Sequence, residues 1–512
     1  HMRMDKEFSE AYQLHSQMMH DTGNYLQGLA DAIELRELSR SGFYNNPLLK
    51  SQMLSEPELI RDHNLSERIQ SLRQQYRFAS SDERIRIGNE LLNAISERNS
   101  LQNQVVPATG GSDLLSEILS VQEALKADEL LIFMSVFNDQ VFRYVLTRQE
   151  IGMKVFPVSG RPDNGVIRAA DTIGYGSTDL EKLYDVYTLY FSDLIETRKE
   201  FSHLYFVPDN QFYRIPMEIL PVSEPKGPYS FSTTEYLLER ISISYLNTPT
   251  ELNQKSKPGN REFDVEFAGF GIHDFSSAGH PQLQNLPFSP IEVKNSFSNL
   301  SRSYKKEIFL NGESTEENFR AAAGHARILH LATHSQVNTD SPLFSTLYFH
   351  QQSDGDSRSE GIIQAYELFD MDLNADLVFL SSCESGAGGY LEGAGILGFS
   401  RAFEYAGAKS ISLNLWPVRD QTAAHIVTDF YDKLNSGLNK AEALREAQLN
   451  FMNHTNSDPY LWGSMVIYGD IESPFNDSEH PALIQLISGM ILVTGSLFLM
   501  LAGYRRISHS KE

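Results

Sequence analysis

Apolar runs too short for helices recur along the middle of this chain, each followed by a stretch with helical spacing. That alternation limits the possible folds more than any other feature. The runs are Glu129–Phe137, Val141–Thr147, His203–Val207, Val265–Gly269, Arg327–Thr333, Asp376–Ser382 and Ser410–Leu415. Helical spacing marks Leu114–Lys126, Leu180–Glu200, Glu316–Ala323 and Ile396–Tyr405. Continuous apolar runs of this length suit strands buried on both faces of a parallel sheet. Strands separated by helices predict a three-layer α/β sandwich with a largely parallel sheet over 113–472. Asn138-Asp139, between the first two runs, predicts a hairpin there.

Two of these runs end in reactive side chains. Ile328-Leu-His-Leu-Ala-Thr-His334 ends in a histidine, and Leu377-Val-Phe-Leu-Ser-Ser-Cys383 ends in the single cysteine of the 512 residues. Functional groups of parallel sheets gather at the carboxyl edge of the strands. A thiol and an imidazole brought together there make an activated nucleophile with its own proton carrier. A lone cysteine is more often a small buried hydrophobe. The flanks argue otherwise, because Ser381, Ser382, Glu384 and Ser385 precede a glycine-rich turn, Gly386-Ala-Gly388-Gly389, as at a strand-to-loop exit. His334 also leads into a polar loop, Ser335 to Asp340, which predicts a ring at the edge of the sheet, facing solvent.

Several further blocks follow in order. They are Glu392-Gly-Ala-Gly-Ile-Leu-Gly-Phe-Ser-Arg-Ala-Phe-Glu-Tyr-Ala-Gly407, Leu415-Trp-Pro-Val-Arg-Asp420 and Pro459-Tyr-Leu-Trp-Gly-Ser-Met-Val-Ile-Tyr-Gly-Asp470. Upstream lie Asp209-Asn-Gln-Phe-Tyr-Arg-Ile-Pro216-Met-Glu-Ile-Leu220 and Leu310-Asn-Gly-Glu-Ser-Thr315. With the His334 and Cys383 strands, these blocks resemble the CHAT family of caspase-like cysteine peptidases, relatives of separases and caspases often fused to tetratricopeptide repeats. A histidine about 50 residues before the cysteine is also the caspase order. The resemblance covers roughly Asp113 to Glu472. It implies a caspase-like fold, Cys383 as nucleophile and His334 as proton carrier, with no metal and no cofactor. By the same analogy the backbone N–H groups of Ser335 and Cys383 hold the oxyanion. Many relatives have glycine after the histidine, so Ser335 is a departure that leaves the backbone less free.

The resemblance also implies that an acidic residue near Trp416-Pro-Val-Arg-Asp420 receives a basic substrate side chain, and Asp420 matches best. An alternative is that Asp420 only caps the helix starting near Gln421. Both readings stay open. Between the two reactive strands, Ser353–Glu360 has no apolar anchor and predicts a mobile surface loop, with a plain hairpin as the alternative. Caspase relatives often mature by cleavage in such a linker, which makes Arg358 a candidate self-cleavage site.

The ends of the chain add separate expectations. Residues 1–104 carry helical spacing (Leu65, Ile69, Leu72 and Tyr76, then Ile85, Leu91 and Ile95) and predict a helical segment. It suits the end of a tetratricopeptide-type array or a generic bundle, and could hold a regulatory protein. His1-Met2 reads as a cloning remnant. Residues 105–112 read as a linker by composition. After a polar linker at 473–481, Ala482–Tyr504 carries no charge and exceeds the ~20 residues of a spanning helix. This predicts a single transmembrane helix and a short basic tail, 505–512. Acidic residues before it and Arg505, Arg506 and Lys511 after it favour a cytoplasmic tail.

A net charge of −24 argues against nucleic acid as a partner, since phosphate attraction needs a basic face. His330 and His334 share the spacing of a helical zinc motif, but Leu331 stands where that motif needs glutamate. No G-x-G-x-x-G follows Gly386, and Gly398-Phe-Ser-Arg-Ala402 lacks the second glycine of a nucleophile elbow. Two functions remain: a membrane-anchored cysteine endopeptidase cutting specific protein substrates, gated by its helical segment, or a scaffold that uses the peptidase fold as an interaction platform.

Overall fold

The computed structural model describes residues 23–40, isolated positions between 61 and 94, and 111–475 without 138–139, 158–163, 175, 197–199, 257–262, 338–344, 355–356 and 382–393. Cys383, the Ala482–Tyr504 run and the 505–512 tail lie outside the described residues. Among the described residues no helix is long and apolar enough to cross a membrane.

Sixteen strands are described. In chain order they are β1 (Glu129–Phe137), β2 (Gln140–Leu146), β3 (Ile151–Pro157), β4 (His203–Val207), β5 (Ser242–Tyr245), β6 (Phe267–Gly271), β7 (Lys306–Leu310), β8 (Ile328–Ala332), β9 (Ser335–Gln336), β10 (Thr346–Tyr348), β11 (Gln352–Asp354), β12 (Ser357–Ser359), β13 (Ile362–Gln364), β14 (Leu377–Leu380), β15 (Ser410–Asn414) and β16 (Met465–Gly469). Eleven of them form one mixed sheet in the order β3-β2-β1-β4-β5-β16-β15-β14-β8-β6-β7. The sheet is largely parallel, with antiparallel pairing only at β1–β2, β2–β3 and β15–β16.

The antiparallel joint at β15–β16 has a geometric consequence. Strands β6, β7, β8, β14 and β15 point one way, and β16, β5, β4 and β1 the other. The carboxyl edge of the first group is therefore the amino edge of the second. Lys440 fastens the joint at its other end. Its ammonium is fully buried and donates to Asp376 O at 3.0 Å, Ser410 Oγ at 3.0 Å and Asp470 O at 2.9 Å. These acceptors sit before β14, at the start of β15 and just after β16, so one side chain ties three strand ends together. Burial lowers the lysine's pKa, against the opposing pull of Asp470 and Asp376.

Among the described residues, nine α-helices of eight or more residues pack on this sheet's elements or on one another: α1 (Tyr25–Arg40), α2 (Gly111–Ala124), α3 (Asn164–Gly174), α4 (Leu180–Tyr190), α5 (Ser289–Asn299), α6 (Glu316–Ala323), α7 (Ala394–Tyr405), α8 (Asp420–Asn435) and α9 (Lys440–His454). α6 matches the sequence expectation, starting where Thr315 accepts from Asn318 N. α9 starts at a capping box between Asn439 and Glu442. α7 ends at Gly407, whose φ of +113° and close approach to Leu373 O leave no room for a side chain. The helix expected over Leu180–Glu200 stops at Tyr190 instead, and a short turn, Ser192–Ile195, follows. Phe191 leaves helical geometry to bury its ring edge-on against Phe206 and Phe212. Arg143 then donates to the carbonyl of Tyr190, which the helix end would otherwise leave unpaired.

α2 begins at Gly111, so Gly111 and Ser112 are helical and not part of the 105–112 linker. Of the two readings of Ser353–Glu360 the hairpin is the one found, as the antiparallel pair β11–β12 with Ser353 opposite Arg358. Within the N-terminal helical segment, α1 shares a core with the sheet. Leu29, Ala30, Ala32 and Ile33 pack with Ile118, Val121, Phe133 and Phe142, and Tyr144 donates to Gly28 O at 3.1 Å.

Replacing Lys440 by methionine keeps the length but removes the donor its three acceptors share, leaving Asp376 O only the Ser410 hydroxyl. We expect a loss of about 3–5 kcal/mol of stability, read from urea unfolding followed by far-UV circular dichroism. A loss below about 1 kcal/mol would mean the acceptors find other donors.

Candidate active site

The carboxyl edge of β6, β8 and β14 opens into a cavity of about 650 Å³. β8 and β14 are parallel and in register, with Leu331 opposite Leu380. Continuing one residue past that pair places Ala332 and Ser381 side by side, and both line the cavity together with His334. Ser381 N donates to Leu331 O at 3.1 Å, and its own carbonyl accepts from Asn414 Nδ2 at 2.7 Å. Ser464 Oγ in turn donates to Asn414 Oδ1 at 2.8 Å, so the exit of β14 is held from β15 and from the residue before β16. Cys383 follows in the undescribed segment.

His334 sits where β8 turns into the three-stranded sheet β13-β10-β9. Thr333 Oγ1 donates to Tyr348 O at 2.5 Å, and Tyr348 N donates to His334 O at 3.0 Å. The turn is thus fastened on both sides of the histidine. Its ring is only 1% exposed, packed 4.4 Å from the ring of Phe275, which corrects the expectation of a solvent-facing side chain. The loop over Gln284–Leu286 lies across it, and Nε2 donates to Gln284 O at 2.7 Å. A carbonyl only accepts, so in the neutral ring Nε2 carries the hydrogen and Nδ1 carries the lone pair. This bond assigns the tautomer, and nothing in the sequence singled out Gln284, because a backbone carbonyl has no signature.

Ser335 opposes Leu347 in the β9–β10 pair and is buried. The bond from Tyr348 N to His334 O makes Ser335–Leu347 a non-hydrogen-bonded pair, so the N–H of Ser335 points away from β10. Arg358 lies in β12, paired with Ser353. Among the described residues no cluster of three or more metal-ligating side chains occurs.

The far wall comes from the starts of two helices. Asp420 is the first residue of α8, and Arg419, not Asp420, holds the cap position. The Asp420 carboxylate instead accepts from Phe288 N at 2.6 Å, at the N-terminus of α5, and lines the cavity. The sequence alternatives for Asp420 were substrate pocket or cap of its own helix, and the second is not what its carboxylate does. Burial first, and then the charge of Glu292, push its pKa up to about 6, against the pull of the Phe288 N–H and of His273. Glu292, on α5, also lines the cavity. Behind it, His330 Nε2 lies 3.0 Å from Glu292 Oε1, and His330 Nδ1 lies 3.1 Å from Tyr431 Oη. Asn456, Asp458 and Tyr460 close the opposite side, where Asp458 Oδ1 accepts from Thr178 Oγ1 at 2.9 Å.

This arrangement of strand-end histidine, parallel neighbour strand and acidic far wall is carried by a recognised domain type. The chain belongs to the CHAT domain family, whose pattern matches residues 178–470, more than half of its length. It is similar to Tetratricopeptide repeat protein 28 of Homo sapiens, 25% identical over 307 residues, which is 52% of this chain and 12% of that protein. The Mus musculus protein of the same name is 25% identical over 303 residues, with the same coverage. This chain therefore spans about an eighth of the length of these relatives. Among solved structures it is similar to the Saccharomyces cerevisiae separase–securin complex, with a TM-score of 0.45 and 10% identity over 75% of this chain and 33% of that one. Similarity to the Arg-specific cysteine proteinase gingipain R has a TM-score of 0.36 and 7% identity, over 57% of this chain and 67% of that one.

The raised pKa of Asp420 makes a prediction about stability. Its folded value, about 6, lies above the ordinary 3.8. The stability this group contributes is full below the ordinary value and is lost as pH rises through 6. Asp420→Asn keeps an acceptor for Phe288 N–H and removes that loss. The melting temperature of the variant relative to the parent should therefore be higher at pH 7.5 than at pH 4. A difference that stays constant across this range would refute the shift.

Proposed function

We propose that this chain is a caspase-like cysteine endopeptidase that cuts protein substrates with Cys383 as nucleophile and His334 as proton carrier. One observation carries the reading: His334 and Ser381 line one cavity, and Cys383 follows Ser381 by two residues. Two residues of chain reach at most about 7 Å, so Cys383 follows within that reach of a residue lining the cavity.

The chemistry follows from the tautomer. Nδ1 of His334, left with its lone pair by the bond from Nε2 to Gln284 O, takes the thiol proton of Cys383. The thiolate adds to the scissile carbonyl, and the oxyanion is held by the backbone N–H groups of Ser335 and Cys383. The imidazolium protonates the leaving amine as the C–N bond breaks, leaving a thioester. Water, deprotonated by the same imidazole, then releases the acid and restores the thiol. No metal or cofactor takes part. Asp420 receives a basic side chain on the acyl side of the cut. A desolvated carboxylate discriminates for a cation, because a neutral side chain would leave it unpaired.

The same reading includes a three-layer caspase-like core, a regulatory partner acting through the N-terminal helical segment, and a membrane anchor at Ala482–Tyr504. The anchor rests on the uncharged length of that run.

A thiol-reactive peptide probe with arginine before its reactive group tests the assignment. It should label Cys383 in the parent and nothing in Cys383→Ala. His334→Gln should slow the labelling by about 100-fold or more, with the circular dichroism spectrum unchanged. Asp420→Asn should slow the arginine probe and leave iodoacetamide labelling unaffected. Equal labelling of Cys383 with and without His334 would favour the scaffold reading instead.

A further inference from the structure

We infer that Glu292 is a second carboxylate of the substrate pocket and makes it select a guanidinium over an ammonium group. This deepens the reading of Asp420 as the receptor of a basic side chain and rests on it.

The first observation is an inversion of ordinary helix burial. On α5 the carboxylate of Glu292 is turned inward, with the residue 1% exposed, while the adjacent Ile291 is 48% exposed. Leaving half of an isoleucine in water forgoes part of its burial gain, and burying a carboxylate is costly unless it is matched. A residue pair placed against its own hydrophobicity is expected where function demands it. The second observation is its partner: Oε1 of Glu292 faces His330 Nε2 at 3.0 Å, an imidazole that carries charge only when protonated.

The third observation is convergence. Asp420 accepts from Phe288 N at the start of α5, and Glu292 lies four residues farther along the same helix. Both line the same cavity, which His334 and Ser381 also line. Glu292 raises the pKa of Asp420 through its charge, a repulsion that a cation entering the pocket relieves. A guanidinium is planar and carries five N–H donors in a fixed fork, so it meets carboxylates on two edges at once. An ammonium is a compact point charge on a flexible stem and gains less from the second carboxylate.

The competing account is that Glu292 and His330 form only an internal pair joining α5 to β8. Binding of Nα-acetyl-arginine amide and Nα-acetyl-lysine amide to the full chain carrying Cys383→Ala, measured calorimetrically, separates the two. With Glu292 intact, the arginine ligand should bind about 10-fold or more tightly than the lysine ligand. Adding Glu292→Gln should weaken the arginine ligand by about 10-fold and the lysine ligand by less than about 3-fold. Glu292→Asp, which keeps the charge and shortens its reach, should fall between them, and it serves as the test if the glutamine variant does not fold. Adding Asp420→Asn instead should weaken both ligands. Equal affinities for the two ligands, or a loss on Glu292→Gln shared equally by both, would overturn the role of Glu292 and leave that of Asp420 standing. Absence of binding by either ligand would overturn both.

Discussion

The parallel register between β8 and β14 is the constraint on which the rest of this site depends. Leu331 opposite Leu380 brings two strand exits level, one ending in His334 and the other leading through Ser381 toward Cys383. A slip of one residue would exchange the faces of every side chain on the strand, so the buried faces of both strands hold the register. Fixed points then accumulate around it. Thr333 and the carbonyl of His334 fasten one exit to β10, and Asn414 with Ser464 fastens the other.

The sheet itself is built in two directions. The antiparallel β15–β16 joint sets the half carrying β8 and β14 against the half carrying β1, β4 and β5. An edge that gathers carboxyl ends on one side of the joint gathers amino ends on the other. The cavity draws on both, since Ser381 leaves β14 there while Asp458 and Tyr460 lead into β16. At the opposite end of the joint, a single buried ammonium satisfies acceptors from three strands. A lysine there is costly to bury, and the cost is offset by donation to all three, which no apolar side chain could provide.

Electrostatics shape the cavity in the opposite sense. Two carboxylates meet near the start of α5, where the helix dipole favours negative charge, yet burial and mutual repulsion hold Asp420 well above its ordinary pKa. The outward Ile291 and inward Glu292 exchange the usual places of apolar and charged side chains. His330, one turn of strand before His334, stands behind that carboxylate in a core of Phe267, Phe379 and Tyr431. β8 thus supplies the group facing Glu292 and leads directly into His334.

Local pattern was enough for several of the elements. Glu129–Phe137, His203–Val207 and Glu316–Ala323 are in place as read, because a short apolar run and a capped amphipathic stretch state their conformation without help from distant residues. His334 and Asp420 were legible as residue types in a recognisable order. What tertiary packing decided was their surroundings. The helix over Leu180–Glu200 broke because Phe191 found a better place against Phe206 and Phe212, a gain invisible to helical spacing. His334 lies buried rather than facing solvent because a loop fifty residues earlier in the chain folds over it and offers a carbonyl. Glu292 carried no sequence signal for the same reason. Helical periodicity assigns charged residues to the outer face, and only the approach of β8 and α8 turned this one inward.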